Sequence, residues 1–83
     1  MKNTLPAWSD QARALTPGAY RHYKGGVYEV IGVARQSETL EELGVYTHDG
    51  EMWVRPIAMF FDVVEWEGKQ VMRFERVMTS DYK

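Results

Sequence analysis

Aromatic and arginine side chains occur close together in the stretch from Met52 to Phe61. Trp53 and Arg55 stand two residues apart, and Tyr46 precedes Trp53 by seven residues. Such a group can stack on a nucleobase, enclose a cation or grip a proline-containing peptide. Alternatively, Trp53 packs beneath an N-terminal helix or a long loop, as most tryptophans in small domains do. The sequence leaves both interpretations open.

A second polar group lies in the run Arg21-His22-Tyr23-Lys24. Its two cations and its imidazole have the chemistry to capture an anion or a phosphate. A turn at Gly25-Gly26 would place His22 opposite Glu29, and that pair would raise the pKa of the histidine. We favour the simpler interpretation, an ordinary cross-strand polar pair. A further hypothesis is a small enzyme that uses His22 with Glu29 or Glu38 as acid and base.

The polar segment 35–42 is the third candidate. A ligand could be contacted there by a guanidinium, two hydroxyls and a carboxylate, which belong to Arg35, Ser37, Thr39 and Glu38. The commoner role of such residues is structural: Ser37 or Thr39 would cap a short turn, with Glu38 at its positive end. A serine nucleophile would need a base within reach, and nothing in the sequence places one there.

Composition excludes several kinds of site. The chain of 83 residues has no cysteine, which rules out disulfides and thiolate chemistry and suits a reducing cytoplasm. His22 and His48 are not at ligand spacing, and no glycine-rich loop precedes a helix, so we expect no metal and no cofactor. The net charge is −2, without a basic run, which argues against tight nonspecific nucleic-acid binding. No apolar run or leader suggests a membrane, so we expect a cytoplasmic protein.

Three turns must position these side chains: Gly25-Gly26, Asp49-Gly50 and Glu67-Gly68. They are typical of an antiparallel meander, because glycine and aspartate accept the positive φ of tight hairpins. Each turn also fixes a register. The predicted partners are Tyr23 with Tyr28 and His22 with Glu29; Val45 with Val54, Tyr46 with Trp53 and Thr47 with Met52; and Phe61 with Phe74, Asp62 with Arg73 and Val63 with Met72.

The registers also predict which side chains share a face. In the second hairpin we expect Met52 and Val54 to face the core, while Trp53 and Arg55 lie on the other side. In the last hairpin the core face would carry two phenylalanines, a valine and a methionine: Phe61, Phe74, Val63 and Met72. The strand 28–33 has apolar residues on both faces, which indicates a long strand bent near Gly32 and shared between two sheets.

Two short helical segments complete the outline. Ser9 can cap a helix over residues 10–15 whose apolar side carries Trp8, Ala12 and Leu15. Pro56 must end its strand, and a 3₁₀ turn after it would bury Ile57, Met59 and Phe60. The predicted fold is an all-β, SH3-like barrel with a short N-terminal helix. We expect an N-terminal extension over 1–17, the barrel over 18–77 and a tail over 78–83.

Several runs resemble the bacterial domain-of-unknown-function family 1653, in order and with similar spacing over residues 18–76. The runs are GAYRHYKG (18–25), YEVIGVAR (28–35), SETLE (37–41) and WVRP (53–56), followed by Met59-Phe60. The resemblance implies a small stand-alone bacterial domain but no particular chemistry. The chain departs from the family pattern at Gln36, where a histidine is typical, and at the short connection Asp49-Gly50, which is usually longer.

The sequence therefore predicts a binding module rather than an enzyme. A small ligand, a peptide or a nucleic-acid segment would lie between the Trp53 face and the loop 35–42, and the partner's identity and the oligomeric state stay open. The candidate contacts are Arg21, His22, Arg35, Ser37, Glu38, Thr39, Tyr46, Trp53 and Arg55. The alternative is a structural or oligomerisation domain that uses its aromatic face as an interface.

Overall fold

The computed structural model describes residues 5–77, which are mainly β with two short helical segments, as predicted. The predicted tail 78–83 lies outside these residues. No helix in the described part is long and apolar enough to cross a membrane. In chain order the elements are α1 (Asp10–Ala14), β1 (Gly18–His22), β2 (Val27–Arg35), β3 (Glu42–His48), β4 (Glu51–Pro56), a 3₁₀ helix (Ile57–Phe61), β5 (Val63–Trp66), β6 (Lys69–Met72) and β7 (Phe74–Arg76).

Five strands form one antiparallel sheet in the order β4-β3-β2-β1-β7, while β5 and β6 form a separate hairpin. The first strand, β1, pairs with the last described strand, β7, and this pairing places His22 opposite Phe74. Among residues 5–77 no pairing joins β4 to β7, so the sheet has two free edges. The predicted closure into a barrel is therefore not confirmed.

The second hairpin has the predicted register, and so does the third between Val63 and Lys69. The predicted pairing of Phe61 with Phe74 is wrong, because Phe61 belongs to the 3₁₀ helix and Phe74 lies opposite His22. Tyr46 lies opposite Trp53 and Val45 opposite Val54 in the second, and Val63 lies opposite Met72 in the third. Asp49 and Gly50 have φ of 54° and 78°, which a tight turn between twisted strands requires. The ion pair expected beside the third hairpin is present, with Arg73 Nε 3.4 Å from Asp62 Oδ2.

The predicted register of the first hairpin is wrong. Tyr20, not Tyr23, lies opposite Tyr28, and Ala19 lies opposite Glu29. The turn is longer than two residues, because the amide of His22 donates to the carbonyl of Gly26 at 3.0 Å. This register places Tyr20 in the core, where it is 7% exposed. Glycines with positive φ at the turn were correctly identified, but burial of Tyr20 and pairing of β1 with β7 decide where the strands align.

The predicted faces of the second hairpin are also wrong. Tyr46 is only 5% exposed and belongs to the core, whereas Met52 and Val54 are 67% and 55% exposed. The core lies on the Tyr46 side because the 3₁₀ helix packs there, with the Phe60 ring 5.8 Å from the ring of Tyr46. The third hairpin is mixed: Phe74 is buried and Phe61 half-buried, but Val63 and Met72 are exposed.

The N-terminal helix and the 3₁₀ helix are present as predicted, and they contact each other beside β3. The hydroxyl of Ser9 accepts from the amide of Ala12 at 3.1 Å and so caps α1. Pro56 ends β4, and Ile57 and Phe60 enter the core while Met59 is half-buried. Gly44 makes this approach possible, because a Cβ there would lie 2.9 Å from Leu15 Cδ2 and closer still to the Phe60 ring.

A bulge in β2 lets the long strand follow the core. The register shifts between Val30 and Gly32, so Val30 before the bulge and Val33 after it both pack against the core. The bend predicted near Gly32 is thus present, but β2 belongs to one sheet rather than two. The bulged residue, Ile31, is half exposed.

Candidate functional site

A pocket of about 240 Å³ lies on the core face of the sheet, near the turn that joins β3 to β4. We name it the Arg55 pocket. The β3–β4 register brings Tyr46, Trp53 and Arg55 together there, as predicted, although on the core side of the sheet. Its lining is four aromatic rings and one guanidinium, from Tyr28, Tyr46, His48, Trp53 and Arg55.

Arg55 is held by aromatic side chains rather than by a carboxylate. Its Nε donates to the hydroxyl of Tyr46 at 3.1 Å, and its Cζ lies 5.2 Å from the Tyr46 ring centroid and 5.1 Å from that of Phe74. Within residues 5–77 it forms no ion pair. The terminal nitrogens therefore remain as donors for an anionic group in a partly apolar setting, where such bonds are strong.

Trp53 forms the rim of the pocket. It lies on the outer strand of the sheet and is 50% exposed. The indole Nε1 donates to the carbonyl of His48 at 3.3 Å, which fixes the orientation of the ring. A half-exposed, oriented indole can accept a planar group by stacking. Its exposure argues against the alternative in which Trp53 packs beneath the N-terminal helix or the long loop.

Another wall of the pocket is a stacked pair of rings, Tyr28 and His48, that the sequence analysis did not identify. The rings of Tyr28 and His48 are parallel within 4°, with centroids 3.9 Å apart. The ring nitrogen Nδ1 of His48 lies 3.3 Å from the carbonyl of Val27. The two rings are neighbours because β2 pairs with β3 in a register that sets Glu29 opposite Thr47. The sequence offered no signal for this contact beyond Tyr28 itself, the one aromatic residue of β2.

His22 lies beside this pocket rather than opposite a glutamate. Its ring packs edge-on against Phe74, with centroids 5.0 Å apart, and its Nδ1 accepts from the amide of Lys24 at 3.2 Å. Burial, followed by the positive charges of Arg55, Arg73 and Lys24, lowers the pKa of His22 below its ordinary value. The expected His22–Glu29 pair and its raised pKa are therefore wrong, and the acid–base hypothesis loses its geometric basis.

The loop 35–42 lies apart from the Arg55 pocket. Glu42 precedes Tyr46 by four residues of β3, a separation of about 13 Å along the strand. The loop is tied together internally, because the Gln36 side-chain oxygen accepts from the amides of Glu38 and Thr39 at 2.5 and 3.0 Å. The cap predicted at Ser37 or Thr39 is shared: Gln36 accepts from two amides, and the Thr39 hydroxyl accepts from the amide of Glu41 at 3.1 Å. Ser37 donates to the Glu38 carboxylate at 3.2 Å.

Arg35 and Glu42 anchor the N-terminal segment. Arg35 donates to the carbonyl of Pro6 at 2.6 Å, and its Cζ lies 4.0 Å from the ring centroid of Trp8. The carboxylate of Glu42 accepts from the amide and the hydroxyl of Ser9, and these bonds lower its pKa. The predicted site residues Arg35, Ser37, Glu38 and Thr39 therefore have structural partners at this end of the sheet.

Arg21 lies at a second, wider depression between β1 and the β5–β6 hairpin. This depression measures about 470 Å³ and is lined mainly by exposed side chains, among them Arg21, Glu75, Trp66 and Met72. His22 also lines this depression, and its ring lies close enough to Arg55 for that charge to lower its pKa. His22 therefore lies between the depression at Arg21 and the Arg55 pocket.

Among residues 5–77 no three acidic or histidine side chains cluster in a way that could hold a metal ion.

Comparison with known proteins places this architecture in a family. The family described as "Protein of unknown function (DUF1653)" matches residues 18–76. A protein from Bordetella bronchiseptica, whose crystal structure is described as that of a DUF1653 member, is 34% identical; the match covers 80% of this chain and 91% of that chain, with a TM-score of 0.73. No protein with a curated description matches the chain. The match over most of the chain shows that it belongs to the DUF1653 family.

Proposed function

We propose that the chain is a binding module whose Arg55 pocket holds a small ligand with a planar ring and an anionic group. The observation that carries the proposal is the guanidinium of Arg55, which sits among aromatic rings with a hydroxyl as its only polar partner within residues 5–77. Arginines in such settings are used to recognise carboxylates and phosphates.

The charges around the pocket favour an anion. The pKa of His22 is lowered by burial and then by the positive charges of Arg55, Arg73 and Lys24, which supports an anion as the partner of this neighbourhood. A cation enclosed by aromatic rings, one of the possibilities raised by the sequence, would be repelled by Arg55 and receives no support. A ligand carboxylate or phosphate would replace solvent at the terminal nitrogens of Arg55.

The aromatic walls favour a flat group beside that anion. Trp53 offers a half-exposed indole, and the Tyr28–His48 stack forms another wall. Stacking of a base on an aromatic side chain contributes about 1–3 kcal/mol. A volume of about 240 Å³ is below the usual range for drug-sized ligands, so the pocket suits one ring and one anionic group.

We also infer that the fold is a variant of the SH3-like barrel with an inserted hairpin. The meander order, the bend in β2 and the 3₁₀ helix after β4 support this relationship, as does the pairing of β1 with β7. The β5–β6 hairpin would then be the insertion. In this arrangement the Arg55 pocket lies at an end of the half-closed sheet, where such small folds commonly bind ligands.

Titration monitored by amide and imidazole chemical shifts tests the binding proposal. The probes are a nucleoside monophosphate, the matching nucleoside, an aromatic carboxylate, inorganic phosphate and a planar cation such as benzamidine. We expect the planar anions to bind most tightly, with shifts at Tyr28, His48, Trp53 and Arg55 and a rise in the pKa of His22. Shifts centred on the loop 35–42, or equal binding of benzamidine, would contradict the proposal.

Variants separate the ring contact from the charge contact. Trp53→Ala should weaken binding by roughly fivefold to a hundredfold, the factor that corresponds to loss of one stacking contact. Trp66→Ala is the matched control, because Trp66 is 39% exposed on the other hairpin. Arg55→Lys keeps the charge but removes the paired donors, so binding of the carboxylate and the phosphate should both fall. Equal losses for Trp53→Ala and Trp66→Ala would exclude a specific role for the pocket.

A further inference from the structure

The strand β4 forms an outer edge of the sheet and has hydrogen-bonding groups to offer a further strand. In a hairpin with a two-residue turn, the two residues that flank the turn form both backbone hydrogen bonds with each other. Along the strands, hydrogen-bonded pairs then alternate with pairs that form no backbone hydrogen bond. Glu51, Trp53 and Arg55 therefore direct their amides and carbonyls toward β3. The amides and carbonyls of Met52 and Val54 point away from the sheet.

The side chains at the two outward-bonding positions of β4 do not protect this edge. Natural edge strands usually carry lysines, inward-pointing charges or prolines that prevent pairing with another chain. Arg55 is an inward-pointing charge, but its own backbone groups face β3. In β4 the two residues with outward backbone groups are Met52 and Val54, which are 67% and 55% exposed. The proline of this strand, Pro56, stands at its last position, where it limits the length of a new pairing without blocking it.

We propose that β4 pairs antiparallel with β4 of a second copy of this chain, with Trp53 opposite the partner's Trp53. The bonded pairs in this register are Met52 with the partner's Val54 and Val54 with the partner's Met52. All four backbone bonds can then form, since these are the residues whose polar groups point outward. The two five-stranded sheets become one continuous sheet.

The charges of β4 select this register over its neighbours. With Trp53 at the two-fold axis, Glu51 lies opposite the partner's Arg55 and Arg55 opposite the partner's Glu51, so the strand is complementary to itself. A shift that centres Val54 loses both charge pairs and sets Met52 opposite Pro56, which has no amide hydrogen. A shift that centres Met52 extends the pairing into Gly50, whose φ of 78° is not that of a strand.

The dimer proposal is argued from the backbone of β4 and does not require a ligand. Both proposals nevertheless involve Arg55, because the partner's Glu51 and an anionic ligand would contact the same guanidinium. A ligand anion should therefore weaken the dimer, and the dimer should weaken ligand binding. Association measured without ligand, and ligand binding measured on a monomeric variant, keep the two proposals separately testable.

Sedimentation velocity of the full chain from micromolar to millimolar concentration tests the association. We expect a reversible monomer–dimer equilibrium. Val54→Lys should weaken it by roughly tenfold or more, because a lysine on the edge faces the partner's apolar Met52 at two places. Val63→Lys is the matched control, since Val63 is 58% exposed on β5. A strictly monomeric chain at millimolar concentration, or equal effects of the two lysines, would overturn the proposal.

Cysteine cross-linking tests the register, because the natural chain has no cysteine. Under mild oxidation Trp53→Cys should form a dimer by itself, since a non-bonded antiparallel pair has Cα atoms about 4.5 Å apart, within disulfide range. Met52→Cys and Val54→Cys should cross-link efficiently only when the two variants are mixed. Efficient cross-linking of Met52→Cys alone, with none in the mixture, would show a different register.

The charge pairs give an independent check. Glu51→Arg and Arg55→Glu each set like charges opposite one another, so each variant alone should associate more weakly than the natural chain. A mixture of the two sets opposite charges at both positions and should recover a heterodimer. If the mixture associates no better than either variant alone, the pairing of Glu51 with Arg55 is wrong.

Discussion

Substitution of Gly44 by alanine should destabilise the protein through overpacking at one point of the core. Gly44 is buried, and both α1 and the 3₁₀ helix approach β3 over it. A methyl group there would lie 2.9 Å from Leu15 Cδ2 and 3.1 Å or less from two ring atoms of Phe60. Carbon atoms prefer about 3.5–4.0 Å, so both neighbours must move by about half an ångström or more.

The magnitude follows from how well those neighbours are held. Leu15 and Phe60 are 3% and 2% exposed, so neither can move into solvent. Extra methyl groups in a packed core typically cost about 1–3 kcal/mol. In a domain of this size, each 1 kcal/mol shifts Tm by about 4–8 °C. The overpacking term alone should therefore lower Tm by about 4–24 °C.

The matched control is Gly32→Ala in the neighbouring strand β2. A Cβ at Gly32 meets no atom within 4 Å, and neither glycine has a left-handed backbone. Both substitutions stiffen the unfolded chain, which stabilises by about 0.4–1 kcal/mol where the native backbone allows it. The difference between the two variants therefore isolates the steric effect at Gly44.

Thermal and urea unfolding followed by circular dichroism would measure the difference. A double-mutant cycle with Phe60→Leu should show coupling, because the smaller side chain relieves the clash at Gly44. If Gly44→Ala and Gly32→Ala unfold at the same temperature, or if Phe60→Leu acts independently of Gly44→Ala, the close approach does not limit packing.

Two further predictions concern pH. Folding lowers the pKa of His22 through burial and neighbouring positive charge. As the pH falls below about 6.5, the unfolded chain therefore binds a proton first, and stability should decline until the folded pKa is reached. His22→Gln should remove that dependence, and an imidazole titration midpoint at or above 6.5 would contradict it. At the other end of the sheet, bonds from Ser9 lower the pKa of Glu42, so its contribution to stability should be lost as the pH falls through that lowered value. Ser9→Ala should return the Glu42 carboxyl titration toward its ordinary range and cost about 0.5–2 kcal/mol through loss of the helix cap. An unchanged Glu42 titration in Ser9→Ala would show that the bonds do not persist in solution.

Features set by a few neighbouring residues were predictable. Asp49-Gly50 and Glu67-Gly68 set the registers of their hairpins, because each strand pair closes directly on a two-residue turn with positive φ. Gly25-Gly26 also has positive φ but lies in a longer turn, so it did not fix the register of the first hairpin. Ser9 and Pro56 likewise marked the start of α1 and the end of β4, since a helix cap and a missing amide act within one turn of chain.

Which face of β4 packs against the core is not determined by neighbouring residues in the chain. In β4 the alternating residues Met52 and Val54 are as apolar as Trp53, so the hydrophobic pattern does not identify the core side. That side is decided where the Phe60 ring reaches the sheet over Gly44. The predicted core face of β4 was therefore the wrong one, and Met52 and Val54 are exposed on a strand that is an edge of the sheet within residues 5–77.

In the candidate site, too, some features follow from neighbouring residues and others from contacts between distant parts of the chain. The sequence by itself determined that Tyr46, Trp53 and Arg55 share one face, because the register of a tight hairpin follows from its turn. Only the tertiary structure decided that Tyr28 and His48 close the pocket and that the loop 35–42 lies apart from it. Those relations depend on how β2 is registered on β3 and where the 3₁₀ helix packs. They arise from contacts between residues far apart in the chain, which no local pattern encodes.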